Sequence, residues 1–180
     1  MRSFKTEGIV IKRRNYNEAD RIITVFSKRN GKISIKASGV RRITSRRSPH
    51  IELLNYSIFS LHQGKNMPVL TEVDSLENYS LLKKDLKRVG LGYHICELID
   101  GLCAENQENP HIFDLLKDTL KKLSKEEDLS DLIYKFEIEL LTLLGFHTQD
   151  SAALKIDTQE VIENILERKL KTRQILHQLS

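Results

Sequence analysis

The chain has 180 residues, 39% of them hydrophobic and 30% charged, with no tryptophan and three prolines. That is enough apolar material for a packed core of one large or two small domains, which excludes wholesale disorder. The net charge of +4 is unevenly spread: residues 1–80 carry 15 Lys and Arg against 7 Asp and Glu, residues 81–180 carry 14 against 18, and the first fifty alone carry 14 against 3.

Charge of one sign repels itself unless a polyanion neutralises it, so the basic half reads as a nucleic-acid binder. No run approaches the roughly 20 apolar residues that span a bilayer. The start, Met1-Arg2-Ser3-Phe4-Lys5-Thr6-Glu7, lacks the apolar segment of a secretory signal. Two cysteines, Cys96 and Cys103, cannot build a disulfide framework. These features predict a cytoplasmic, nucleoid-associated protein with no membrane contact.

The first 75 residues read as five strands. Gly8–Ile11 and Ile22–Phe26 are β-branched and aromatic runs, and Lys32–Ala37 alternates with Ile33, Ile35 and Ala37 on one face. Asn30-Gly31 between the last two is a hairpin signal, because both residues tolerate positive φ. A fourth run spans Leu53–Leu61 and ends at the turn-rich His62-Gln63-Gly64-Lys65-Asn66, and a fifth, Val69–Val73, follows Pro68. Five short turn-linked strands predict a small antiparallel barrel. Phe26 and Phe59 are expected in its core.

From Asn78 the period becomes helical. Leu81, Leu82, Leu86, Val89, Tyr93, Cys96 and Ile99 define one helix, weakened by Gly90 and Gly92. Asn109-Pro110 precedes a second, a third runs from Leu129 to a C-cap at Gly145, and Asp157 caps a last helix through Leu170. The expected fold is α+β, with a nucleic-acid-binding barrel at residues 1–78 and a helical bundle at 79–180.

Little here supports catalysis. Cys96 and Cys103 lie about two helical turns apart and read as buried thiols. The six histidines have no metal-ligand spacing, glycine occurs only eight times, and there is no phosphate-binding loop or nucleophile elbow. Glu18 and Asp20 read as partners of Arg21 in a strand-start ion pair. No enzyme, metal or cofactor is expected. The basic constellation remains: Lys12-Arg13-Arg14 at the end of the first strand, Arg21 opening the second, Lys28, Arg29 and Lys32 about the hairpin, and Lys36 on the third strand's polar face. Gly39-Val40-Arg41-Arg42-Ile43-Thr44-Ser45-Arg46-Arg47 then puts four arginines in seven positions, as a free loop whose guanidinium forks and hydroxyls suit phosphate. Tyr16, placed in the Asn15-Tyr16-Asn17 turn, is the best exposed ring for stacking a base.

The ordered run from Gly8 to Ser27, with its Tyr16-Asn17-Glu18-Ala19-Asp20 centre, and its continuation Asn30–Arg42 resemble the amino-terminal region of the bacterial recombination mediator family RecO. His111–Leu116 and Phe136–Phe146 resemble its helical part more loosely. The resemblance implies an OB-fold barrel followed by a helical domain. It also implies binding of single- and double-stranded DNA, annealing of complementary strands without ATP, and partnership with RecR. Members help the recombinase RecA displace single-strand binding protein, whose acidic tail docks on the helical domain. Position by position, Lys12, Arg13, Arg21, Lys32, Lys36, Arg41, Arg42, Arg46 and Arg47 match the family's basic motif. Arg14, Lys28 and Arg29 join on charge and position. Many members carry a four-cysteine zinc module after the segment matching Leu144-Gly145-Phe146, and here His147 to Ser151 contains no cysteine, so no zinc is expected. An RNA-binding OB module, or an interaction scaffold centred on the helical half, are the competing readings.

Overall fold

The computed structural model of the chain describes residues 2–147 and 155–179. The first strand, β1, Ser3–Tyr16, is 14 residues long because it serves two neighbours, pairing through Ser3–Ile9 with the fourth strand and through Gly8–Tyr16 with the second. β2, Asp20–Ser27, and β3, Gly31–Ala37, follow as antiparallel neighbours. In the turn between them Gly31 has positive φ and Asn30 does not, so the glycine alone supplies the left-handed residue. β4, Tyr56–His62, starts three residues later than expected. Leu54 takes positive φ just before it, and Asn55 caps the preceding turn through the Pro49 carbonyl. β5, Val69–Glu77, pairs with β4 and closes on β3 through the parallel pair Lys36–Val69. The closed order is β1-β2-β3-β5-β4, a five-stranded OB-type barrel.

The pleat sorts side chains between two cores. Val10, Ile23, Val25, Ile33, Ile35, Phe59, Leu61 and Leu70 fill the barrel. A bulge between Val10 and Lys12 shifts the register of β1 so that Lys12 falls on the outer face, which Ile9 and Ile11 share by ordinary alternation. With Phe26 and Tyr56 they form the floor on which the helices pack. Phe59 is thus in the barrel core, whereas Phe26 is buried on the other face of the sheet.

Where one helix was expected from residue 81 to residue 99 there are two, α1, Ser80–Lys83, and α2, Leu86–Leu102. Asp85 breaks the run, accepting the Lys87 and Arg88 amides as an N-cap. Leu81 and Leu86 therefore face outward instead of joining the core. Gly92 serves close approach: a Cβ there would lie 2.9 Å from the Leu54 side chain. α3, Pro110–Leu123, and α4, Leu129–Leu143, begin at side-chain caps on Asn109 and Asp128, and Gly145 ends α4 with positive φ. The cysteine-free link from Thr148 to Ser151 falls outside the described residues. Asp157 caps α5, Thr158–Leu166, as expected, but Glu167 enters the left-handed region and ends it. A separate helix, α6, Lys171–Leu179, packs back on α2.

Buried polar groups join these helices. The imidazole of His94 meets the Glu137 carboxylate at 2.6 Å and the Thr172 hydroxyl at 2.9 Å, and Thr158 donates to the other Glu137 oxygen. Cys96 and Cys103 are buried and unpaired, and burial pushes their thiols up to about 12 and about 11.

Candidate nucleic-acid interface

The register places one cationic sheet face opposite the barrel interior. Along β1 the side chains of Lys12, Arg14 and Tyr16 fall on that face, and Arg13 falls on the other. Across the strands the rows are Lys12–Thr24–Ser34, Arg14–Ile22–Lys36 and Tyr16–Asp20. Tyr16 is the last residue of the strand, and Asn17 makes the turn with positive φ. Its ring is 39% exposed, with the Arg14 guanidinium 6.0 Å and the Lys36 ammonium 5.7 Å from its centroid.

Two loops border this face. The segment after β3 is not a free arginine loop, because half of its guanidinium groups tie it down. Arg41 donates to the carbonyls of Asn17 and Glu18, and Arg47 donates to those of Leu70 at 2.8 Å and Ser38 at 2.6 Å. The Gly39 amide donates to Asp20, which also faces Lys36 at 3.6 Å. That hydrogen bond, with smaller help from the Asn17 side chain and Lys36, holds the Asp20 carboxyl below the usual carboxylate range against the opposing effect of burial. The expected Asp20–Arg21 pair is absent, since Lys36 and Gly39 have taken the carboxylate. What the pinned loop presents outward is Arg42 and Arg46, around a cleft of about 470 Å³ that also holds Thr44 and Ser45. The second border is the β4–β5 loop, residues 63–68, whose exposed Lys65 shares a 280 Å³ recess with Tyr16 and Lys36.

The other candidate cations are placed elsewhere. Lys32 is 8% exposed, and its ammonium donates to the Asp100 carbonyl at 2.5 Å and faces the Asp100 carboxylate at 3.5 Å, so it belongs to the barrel–helix junction. The reason is the pleat: residue 32 shares the outward row of Phe26, which α2 covers. Lys12 sits at the boundary, exposed but bonded to the same Asp100 at 3.1 Å. Arg13 is held by Glu52 at 2.7 Å and Lys28 by Glu7 at 3.0 Å. Arg21 bonds Asn15, and its Nη1 is buried without a protein partner. Lys28 and the exposed Arg29 occupy the β2–β3 turn, the opposite end of the hairpin from Tyr16. The geometry thus gathers Lys12, Arg14, Tyr16, Lys36, Arg42 and Arg46, and adds Lys65, which sequence reasoning passed over. Its signal was present: a lysine in a glycine-containing loop between the fourth and fifth strands of a barrel.

An OB-type barrel with a cationic groove around an exposed aromatic ring, fused to a helical bundle, is the class defined by this fold and site. More specifically, the chain belongs to the recombination protein O (RecO) family. The family's amino-terminal profile, "Recombination protein O N terminal", matches residues 1–79, and its carboxy-terminal profile, "Recombination protein O C terminal", matches residues 83–152. Similar proteins include the DNA repair protein RecO of Acetivibrio thermocellus, 38% identical over 156 residues that cover 86% of this chain and 62% of that one. The RecO of Roseiflexus sp. is 34% identical over 82% of this chain and 52% of its own length, and that of Desulforudis audaxviator 32% over 90% and 65%. The chain therefore spans between about half and two thirds of the length of these relatives.

Proposed function

We propose that this protein acts in DNA repair and recombination as a non-enzymatic mediator, gripping the DNA backbone in the groove between Arg42, Arg46 and Lys65. The observation that carries this reading is the pair Arg14 and Lys36 around Tyr16, with Lys12 one row away, on the sheet face where OB folds take extended nucleic acid. Cations spaced along strands suit a phosphate track, and a ring between them suits a base. Binding of single and double strands, annealing by neutralising two backbones at once, and cooperation with RecR to help RecA onto DNA covered by single-strand binding protein complete the proposal, on the strength of family membership.

A groove of about 410 Å³ between β5, α1 and α3 supports the last step. It sets the exposed Leu76 and Leu81 beside Lys117, Lys121 and Lys125, with the Lys117 ammonium 5.0 Å from the Tyr56 ring. Although the helical half is net acidic, this corner is locally basic and apolar together, which suits an acidic tail with a hydrophobic end.

The test is a salt series on a fluorescent single-stranded oligonucleotide, with matched RNA and duplex arms. Replacing Arg14, Lys36, Arg42 and Arg46 by Gln is expected to flatten the slope by up to about 3, at about 0.7 per contact. Equal slopes would remove the groove from the proposal. The double variant K121E/K125E is expected to lose a peptide carrying the single-strand binding protein tail while keeping DNA.

A further inference from the structure

The outward row Arg14–Ile22–Lys36 contains one apolar side chain, and it is buried: Ile22 is 6% exposed although it belongs to neither core. It lines two recesses, the 280 Å³ one beside Tyr16 and another of about 180 Å³ running toward Asp100 and Glu105. Met67 lines both as well, so Ile22 and Met67 form the ridge between them. That ridge is held in place at both ends of its loop. A Cβ on Gly64 would lie 2.4 Å from the Met67 carbonyl oxygen, so the loop folds tightly back on itself. The Lys36 amide donates to the Pro68 carbonyl at 2.9 Å and fastens the far side to β3.

We propose that two adjacent unpaired nucleobases sit one on each side of Met67, and that the recess beyond it favours a base carrying an exocyclic amino group. This rests on the DNA-binding reading above and adds base selection to it. Apolar side chains that part neighbouring bases are a recurrent device, and Met67 stands on a rigid apolar floor with cations on both flanks. On the first side, Tyr16 offers a ring to stack on. On the second, Glu105 lines the recess beside Lys12, while the Asp100 carboxylate there is already paired with Lys12 and Lys32. A carboxylate repels phosphate but accepts hydrogen bonds from the amino group of cytosine, whereas thymine presents an acceptor at the same edge. Bases in a duplex are stacked and paired, and cannot enter.

The experiment measures binding of the full chain to oligo(dC), oligo(dT) and a duplex of equal length. The wild type is expected to bind oligo(dC) several-fold more tightly than oligo(dT). Glu105→Ala is expected to bring that ratio toward one without changing the salt slope. Met67→Ala is expected to weaken both single strands about fivefold or more and spare the duplex, with Met67→Leu restoring them and thermal melts confirming the fold. Equal affinity of the wild type for oligo(dC) and oligo(dT) overturns the selection, as does Glu105→Ala tightening both alike, which would make the carboxylate a general repulsor. Met67→Ala weakening duplex as much as single strands overturns the ridge. In each of these cases the salt-dependent binding of the wild type still stands, whereas no binding at low salt would bring down the DNA-binding reading together with this one.

Discussion

The outward face of β1, β2 and β3 is one surface with two fates. At its lower end α2 covers Ile9 and Phe26, and the single cation there, Lys32, has both a carbonyl and a carboxylate from Asp100. Two rows further up, Arg14 and Lys36 share a tyrosine ring on the same face. There, among the described residues, the Lys36 ammonium has one carboxylate, Asp20 at 3.6 Å, and no carbonyl partner, and Arg14 has no acidic partner. The cations differ in what answers them, not in their chemistry. Where the protein supplies a partner, a lysine becomes part of the architecture, and where it supplies little, the positive potential is left for a ligand.

That comparison breaks most visibly if its lower end is emptied. Phe26→Ala is expected to cost about 3–5 kcal/mol in chemical denaturation, as a large ring lost from a closed core. The helices would loosen from the barrel while the groove cations keep their places, so the salt slope of any DNA that still binds should be unchanged. A slope that fell with stability would mean that the two ends of the face are not separable.

The loop after β3 offers a finer version of the same contrast, within four arginines. Arg47→Ala removes donors from two main-chain carbonyls and is expected to cost about 1–3 kcal/mol and to raise amide exchange at Arg42–Ser45. Arg42→Ala should leave stability within about 0.5 kcal/mol and lower the single-strand salt slope by about 0.7. Swapped outcomes would mean that Arg47 is the grip and Arg42 the staple.

Nothing in the run Arg41-Arg42-Ile43-Thr44-Ser45-Arg46-Arg47 distinguishes those roles, because all but one of the carbonyls that bind Arg41 and Arg47, those of Asn17, Glu18 and Leu70, lie more than twenty positions away. The same reason hid the fate of Lys32. Its polar alternation with Ile33 and Ile35 was legible and correct, yet the face it shares is capped by α2, whose Asp100 lies 68 positions later. Lys12-Arg13-Arg14 reads as one cluster in sequence, but a period of two sends Arg13 to Glu52. Local signals were read well where local chemistry decides, as at the Asn109-Pro110 break before α3, the Asp157 cap and Gly145. They failed where a non-glycine residue takes positive φ under tertiary constraint, as Leu54 and Glu167 do.

The mildest probe of the contrast is pH, because the closed region is held by carboxylates and the groove by cations that do not titrate in acid. Burial alone would raise Glu97, but Arg168, the amides of Lys171 and Thr172, and the Thr172 hydroxyl all donate to it and bring it from the ordinary 4.5 to about 2. Lys169 and the Leu170 amide, with Arg173, do the same for Glu163, also to about 2. A carboxyl depressed in the folded state contributes its stability in full above the unfolded value and loses it as pH falls through the folded one. The docking of α6 on α2 is therefore expected to be unchanged from neutral pH down to about 4.5 and to weaken progressively toward pH 2, read as faster amide exchange confined to α6. Glu97→Gln should remove much of that acid dependence, since an amide cannot gain a proton in this range. If the wild type instead loosens between pH 7 and 5, before either carboxylate protonates, the acid-sensitive hold on α6 does not lie in Glu97 and Glu163.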